Sequence, residues 1–421
     1  MTERLLQHIW QFQYFNRNEL TTGDGEALSI IHPGNINSNQ GPDFLDAKIT
    51  VGDTLWAGNI ELHILSSDWN NHKHSNDKNY ANIILHVVWQ DDADLNLPFP
   101  VLELQSKVSK ILLSRFDELM NAQSFIACET MIQHISPLIW VAWKERLLAE
   151  RMQKKAAIIL DYLAENNNHW EETFWWLIAR NFGITVNSDA FEKLARSLPI
   201  SLLAKHKNQV QQTEAMLFGQ AGLLENDFEE AYPQLLRKEY RFYKKKYGLR
   251  PIPIPLHFLR MRPSNFPTVR LAQLAMLVHN SVHLFSRIKE TVFFEDLKKL
   301  LDVTANDYWH YHYIFDEVTA FREKKLGSQM LHSIIINTIV PMLFAYGQYH
   351  RETVYKERAL LWLEQIAGEK NAITNGFTLL GIENKHAFDS QALIQLKNEY
   401  CHQKRCLECA VGNKLLRPQI S

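Results

Sequence analysis

Two hydrophobic periods divide the chain. Up to about residue 105 apolar and polar residues alternate, the two-residue period of half-buried strands. From about Pro137 the apolar positions recur every three to four residues, the period of helices that bury one face. In the first stretch Leu5 to Phe15 predicts a short amphipathic helix and Leu28 to Ile31 a strand. Asp46 to Val51 and Leu55 to Ile64 predict two strands joined at Gly52-Asp53. Ile83 to Trp89 is a β-branched run of strand length followed by the turn-formers Asp91, Asp92 and Asp94, and Val101 to Leu104 reads as a last strand. The polar stretch between Ile64 and Ile83 reads as a connector with a short helix. In the second stretch Trp140 to Asn166 predicts one long helix, with others near 170–182, 208–222, 228–247, 267–286, 328–345, 352–366 and 388–400. Proline at alternate positions of RPIPIPLHF (250–258) requires an extended segment. No repeat of fixed period is present. The expected fold is therefore α+β: a small mixed-sheet α/β domain over 1–130, then a large all-α domain over 131–421 that ends in a cysteine-rich segment.

Composition narrows the function classes. The 45 basic and 47 acidic residues of the 421 give a formal charge of −2, so no global field attracts nucleic acid and any such binding needs a local patch. With 46% hydrophobic residues the chain can bury a core, and four cysteines exclude a disulfide scaffold and suit a reducing compartment. Charged Glu3 and Arg4 interrupt the N-terminus, which lacks the apolar core of a signal peptide. The most apolar run, Ile334 to Tyr346, is broken by Asn337, Thr338 and Pro341 and is too short to span a bilayer. A cytoplasmic protein with no membrane partner is expected.

The densest polar chemistry lies in GPDFLDAKITVGDTLWAGNIELHILSSDW (41–69), whose skeleton is Pro42-Asp43, a hairpin, then Glu61-Leu62-His63. This skeleton resembles the PD-(D/E)xK nuclease superfamily, and the expected order of elements resembles its αβββαβ core. The resemblance implies a restriction-endonuclease-like fold for the first quarter of the chain. It also implies that Asp43 and Glu61 hold Mg²⁺, with water completing the octahedron. The family's lysine is replaced by His63, whose ordinary pKa of about 6.5, against about 10.4 for lysine, makes it a poor fixed cation but a competent base or ligand. Strand parity groups Asp46, Lys48 and Thr50 with Asn59, Glu61 and His63, so Lys48 is a candidate for the missing cation, set against a solvated surface lysine. Asp43 belongs to the opposite set unless the strand bends after Pro42. The connector offers Ser66, Ser67, Asp68, His72, His74 and Asp77 as ligands, phosphate contacts or plain polar loop. His86, inside an apolar strand, reads as a hydrogen-bonded core histidine, and Asn35, Asn37 and Asn39 as turn and capping residues. No nucleophile elbow, P-loop, dinucleotide fingerprint or H-E-x-x-H is present.

Three cysteines fall within nine residues, Cys401, Cys406 and Cys409, a spacing that can wrap a soft metal. KRCLECAVGNKLL resembles the tail of iron–sulfur DNA glycosylases, but the position where that pattern expects a further cysteine holds Leu415. Zinc or an iron–sulfur cluster is expected, with either His402 or the distant Cys128 as fourth ligand, against the alternative of reduced thiols on a terminal helix. Lys244, Lys245 and Lys246 form the best local cationic patch, and Arg262 opens the loop RPSNFP, so these are the candidate nucleic-acid contacts. DYWHYHYIFD (307–316) reads as an aromatic seam, suited to base stacking or, more commonly, to a core. The blocks GPDFLDAKI, GNIELH, SSDWNNHKH, YANIILHVVW, EAMLFGQAGLL, RMRPSNFP and KRCLECAVGNKLL together resemble the bacterial domain-of-unknown-function family numbered 2851 over nearly the full length. That resemblance implies no activity. The function expected from the residues is an Mg²⁺-dependent nuclease-like phosphodiesterase acting on DNA or RNA. The alternative is a non-catalytic nucleic-acid-binding or scaffold protein that keeps the fold.

Overall fold

The computed structural model describes residues 1–37, 39–71, 78–281 and 283–417. Two compact units emerge. The first comprises Met1–Glu145, Leu379–Gly381 and Ile394–Ser421; the second comprises Arg146–Thr378 and Ile382–Leu393. The boundary at 130 therefore needs adjusting on two counts. The division falls after Glu145, within the long helix Pro137–Glu165, and the cysteine-rich tail, read above as the end of the helical domain, groups with the first unit instead.

The first unit runs α1 (Glu3–Gln11), β1 (Leu28–His32), β2 (Asn35–Ile36), β3 (Phe44–Val51), β4 (Thr54–Leu65), α2 (Asp68–Asn71), β5 (Ile83–Gln90), β6 (Val101–Glu103) and α3 (Lys110–Asn121). One mixed sheet has the order β1-β3-β4-β5-β6, with β2 also paired to β3. β1, β3 and β4 are antiparallel, whereas β5 is parallel to β4 and β6 to β5. All residues of β5 from Ile83 to Val88 are buried, which explains its unbroken apolar sequence: both of its faces are covered. One sheet face carries Phe44, Ala47, Ile49, Ile60, Leu62, Leu85 and Val87. It forms a single core with Leu5, Leu6, Ile9 and Trp10 of α1 and with Leu112, Phe116 and Leu119 of α3. Cys406 and Leu416 of the tail belong to the same core. The side chain of Thr2 caps α1 by accepting from the Leu5 N–H at 3.2 Å.

The second unit is helical, and the predicted helices fall close to their expected places: Trp170–Phe182, Val210–Gln220, Ala231–Tyr247, Pro267–Asn280 and Thr353–Glu364. Residues 250–258 form neither helix nor strand. Ser328–Tyr349 is longer than the apolar run suggested and is long and apolar enough to cross a membrane, but most of it is buried inside the fold. A π-turn over Ile335–Ile339 interrupts it. The aromatic seam is core. Glu214, wholly buried, accepts from Trp309 Nε1 at 3.2 Å, Asn306 Nδ2 at 3.1 Å and the Tyr232 hydroxyl. Tyr308 stacks on His312, and both reach Glu230.

Gly219 shows why EAMLFGQAGLL needs small residues: a Cβ there would lie 2.1 Å from the Tyr240 ring of the neighbouring helix. Gly219→Val should therefore cost about 1–3 kcal/mol through overpacking. This is measurable as a lower urea midpoint with an unchanged folded spectrum, and an unaltered midpoint would show that the two helices do not meet at this point.

Candidate active site

Asp43 and Glu61 are brought together by a bulge. Phe44 pairs with Ile60 and Ala47 with Gly58, so three steps on β3 oppose two on β4, and Asp46 takes φ 59° to absorb the extra residue. The bulge reverses the parity of β3. Phe44 stays in the core with Ala47 and Ile49, while Asp43 moves beside Glu61. The Asp43 N–H donates to Glu61 Oε2 at 3.1 Å, and the Leu62 N–H donates to Asp43 Oδ2 at 3.0 Å. Gln7 of α1 donates to Asp43 Oδ1 at 2.8 Å. The Asn37 N–H holds the Asp43 carbonyl at 2.8 Å, and Asn37 Nδ2 holds that of Pro42 at 2.9 Å. Asn37 is thus a turn and capping residue, as expected.

The two carboxyls are expensive to ionise. Burial raises Asp43 to about 6, only partly countered by the Leu62 N–H. Burial, and then the charge on Asp43, raise Glu61 to about 8. Glu3, at the start of α1, adds repulsion to both. Such proton-retaining paired carboxyls are a recognised mark of functional sites, and their titration belongs to the pair. A divalent cation would relieve this repulsion. Two carboxylates at one point are hard oxygen ligands of the kind Mg²⁺ takes, so the residues fit a two-carboxylate Mg²⁺ site.

His63 lies next along β4, 1% exposed, with Nε2 3.8 Å from Glu61 Oε1 and Nδ1 2.8 Å from Nε2 of His86. Glu61, His63 and His86 thus form a continuous polar line under Trp69, whose ring centroid is 6.3 Å from that of His63 and 5.3 Å from that of His86. His86 is the hydrogen-bonded core histidine expected. Lys48 is exposed and pairs with Ala57, four residues back along β4 from Glu61. At about 3.3 Å per residue that is roughly 13 Å, on the correct face but beyond the reach of the carboxylates. Ser66, Ser67 and Asp68 are structural: the Ser66 hydroxyl and the Ser67 N–H donate to Asp92 at 3.0 and 2.9 Å, and Asp68 accepts from the Leu65 N–H. His72, His74 and Asp77 lie outside the described residues. Gln7, Glu3 and Trp69 were not singled out in the sequence. Nothing in a local pattern tells a helix residue that it will meet a strand 36 positions later.

In the same unit Cys128, Cys401, Cys406 and Cys409 line one small pocket of about 20 Å³, with Ala127, Tyr400, Arg405 and Gly412. His402 is exposed and is not among the lining residues, whereas Cys128 is. Among the described residues no group of three or more His, Cys, Asp or Glu is placed to hold a single metal ion. In the helical unit Lys244, Lys245 and Lys246 occupy the last turn of Ala231–Tyr247, where cations complement the helix dipole. Lys244 lies 3.9 Å from Glu225, Lys246 lies over Tyr247, and Arg262 is exposed.

A family model described as a protein of unknown function, DUF2851, matches residues 3–372. The chain belongs to this family. The matched range holds Asp43, Glu61, His63 and Cys128, and Cys401–Cys409 lie beyond it. No curated protein and no solved structure matches the chain.

The raised carboxyls fix a sign for stability. Both folded-state values exceed the ordinary 3.8 and 4.5, so the folded chain binds protons more tightly and, without metal, loses stability as pH rises from about 4 to about 8. Asp43→Asn removes one charge of the pair. Its melting temperature in EDTA should match wild type near pH 5 and exceed it by a few degrees near pH 8. A variant that melts lower than wild type at pH 8 would contradict the repulsion.

Proposed function

We propose that the chain is an Mg²⁺-dependent phosphodiesterase of nuclease type acting on DNA or RNA, with a restriction-endonuclease-like first unit. The observation that carries the reading is the joining of Asp43 and Glu61 across β3 and β4 by the hydrogen bond from the Asp43 N–H to the Glu61 carboxylate, with both carboxyls raised by burial and Glu61 further by the charge on Asp43. The order of elements, one helix, an antiparallel β1-β3-β4 meander, a connector and a parallel β5, supports it.

Asp43 and Glu61 would hold the ion, which supplies Lewis-acid polarisation of a phosphoryl oxygen and a more acidic bound water. Gln7 and the Leu62 N–H fix the Asp43 carboxylate, so its position is set before substrate arrives. His63 Nε2, 3.8 Å from Glu61 Oε1, stands where the superfamily places its lysine and can take a proton from the attacking water; His86 orients its ring through Nδ1. The exposed cations Lys245, Lys246 and Arg262 are the proposed backbone contacts. A second reading, a non-catalytic nucleic-acid-binding or scaffold protein, is favoured by one observation: His63 is almost wholly buried, and Lys48 is too distant to replace the fixed cation.

Cleavage of single- and double-stranded DNA and RNA with Mg²⁺ or Mn²⁺ over pH 6–9, a range chosen around the about 6.5 pKa of histidine, separates the two. Asp43→Asn and Glu61→Gln should each lower cleavage by roughly a hundredfold or more, as loss of a preorganised electrostatic group does. His63→Ala should lower it and His63→Lys should retain it. Wild type and His63→Lys both inert on every substrate, with nucleic acid still bound, would select the second reading.

A further inference from the structure

The cysteines form a site independent of the carboxylates. All four in the chain, from two segments more than 270 residues apart, line the same pocket. Chance burial of small apolar thiols does not bring the full complement to one void. The surrounding contacts tie those two segments together. Lys397 Nζ donates to the Phe125 carbonyl and Lys404 Nζ to the Met120 carbonyl, both in the segment that leads into Cys128. Tyr14 donates to Asn413 at 2.9 Å, and Arg115 to the Leu415 carbonyl at 3.3 Å. Gly412 admits the close turn: a Cβ there would lie 2.2 Å from the Cys406 carbonyl oxygen.

The electrostatics suit an anionic cluster. Lys397, Lys404 and Arg405 border the thiols. The main-chain N–H groups of Gly412 and Val411 favour the charged form of Cys409, the kind of backbone dipole that tunes metal–thiolate centres. Burial and their mutual charge keep the free thiols protonated, with Cys128 pushed up to about 12 and Cys406 to about 11. Metal binding would release those protons. The spacing also discriminates among metals. Four thiolates on one zinc sit roughly 3.5–4 Å apart, given Zn–S bonds of about 2.3 Å. Here, among the described residues, no three such groups close on a single ion, so the four thiols facing one small pocket are set wider than a lone zinc holds them, as around a polynuclear core.

We infer that Cys128, Cys401, Cys406 and Cys409 ligate an iron–sulfur cluster that fastens the C-terminal segment to the α/β unit. Four thiolates are the complete ligand set of such a cluster, and Cys128 is the ligand that the tail lacks. The cluster is structural in this position: it staples the tail that supplies Cys406 and Leu416 to the core of the sheet.

The full chain, purified without oxygen, should contain iron and acid-labile sulfide in equal, stoichiometric amounts, with the charge-transfer absorption of a thiolate-bound cluster. Cys128→Ser should lose that absorption and become sensitive to proteolysis after Lys397 and Lys404, whereas His402→Ala should keep the absorption and stay resistant. Zinc alone, or no metal, in wild type after anaerobic reconstitution with iron and sulfide would overturn the proposal. A full cluster in Cys128→Ser would also overturn it. Should that variant not fold, alkylation of wild type gives the same answer. All four cysteines should resist iodoacetamide in the loaded chain and become reactive together when iron is chelated; reactive Cys128 in the loaded chain, or no change on chelation, would refute the cluster.

Discussion

One extra residue in β3 governs the first unit. Without the bulge at Leu45-Asp46, strict alternation would set Asp43 on the core face with Ala47 and Ile49, away from Glu61. With it, Phe44 and Ala47 both stay in the core and Asp43 crosses to its partner. The bulge is held from three sides. Asp46 accepts a positive φ that aspartate tolerates better than most residues, Asn59 Oδ1 receives the Asp46 N–H at 3.3 Å, and β2 pairs with Leu45 and Phe44 from the other edge. The core thus supports a local arrangement that is unfavourable in itself: two carboxyls buried side by side.

That unfavourable arrangement is where function is most legible. A folding domain gains nothing from pressing Asp43 against Glu61 and placing Glu3 at the end of the nearest helix, because each added negative charge raises the cost of ionising the others. Gln7 and the Leu62 N–H aim the Asp43 carboxylate without neutralising it. The His63–His86 pair continues the polar line into the sheet, closed over by Trp69 and, behind it, Phe99 at 5.1 Å. A site with fixed acceptors, an adjacent proton carrier and an aromatic cover has the parts that metal-assisted hydrolysis requires. The four-cysteine pocket in the same unit is separate from it, and the cluster proposed there would anchor rather than react.

Much of this could be read in the residues, for identifiable reasons. Period-two and period-3.6 patterns located β1, β3, β4 and β5 and most long helices, because burial on one face imposes those periods directly. The helices Lys110–Asn121 and Ile184–Ser197 were not anticipated: short or mixed stripes do not separate from connecting segments. Asp43, Glu61 and His63 stood out through their spacing, but parity alone placed Asp43 on the wrong face, since a bulge leaves no mark that distinguishes Leu45-Asp46 from ordinary strand. The same parity made Lys48 attractive. It preserves face but not distance along the strand, and Lys48 lies at the far end of the hairpin. The sequence pattern continues the helical unit into the tail, whereas the tail groups with the first unit, because return of a terminal segment to a distant core is set by tertiary packing. Only the clustering of cysteines hinted at it, and Cys128 could not be chosen over His402 until burial showed which side chain faced the pocket.

The pairing of Asp43 with Glu61 underlies everything said of the site, and carboxyl-carbon NMR of the full chain reads it at the two atoms concerned. In EDTA both resonances should titrate above the ordinary carboxylate range, Glu61 near pH 8 and Asp43 near pH 6, and saturating Mg²⁺ should bring both midpoints down together, because a shared cation favours both charged forms. Ordinary midpoints in EDTA, or raised midpoints that Mg²⁺ leaves unmoved, would contradict a shared metal site and with it the proposed chemistry.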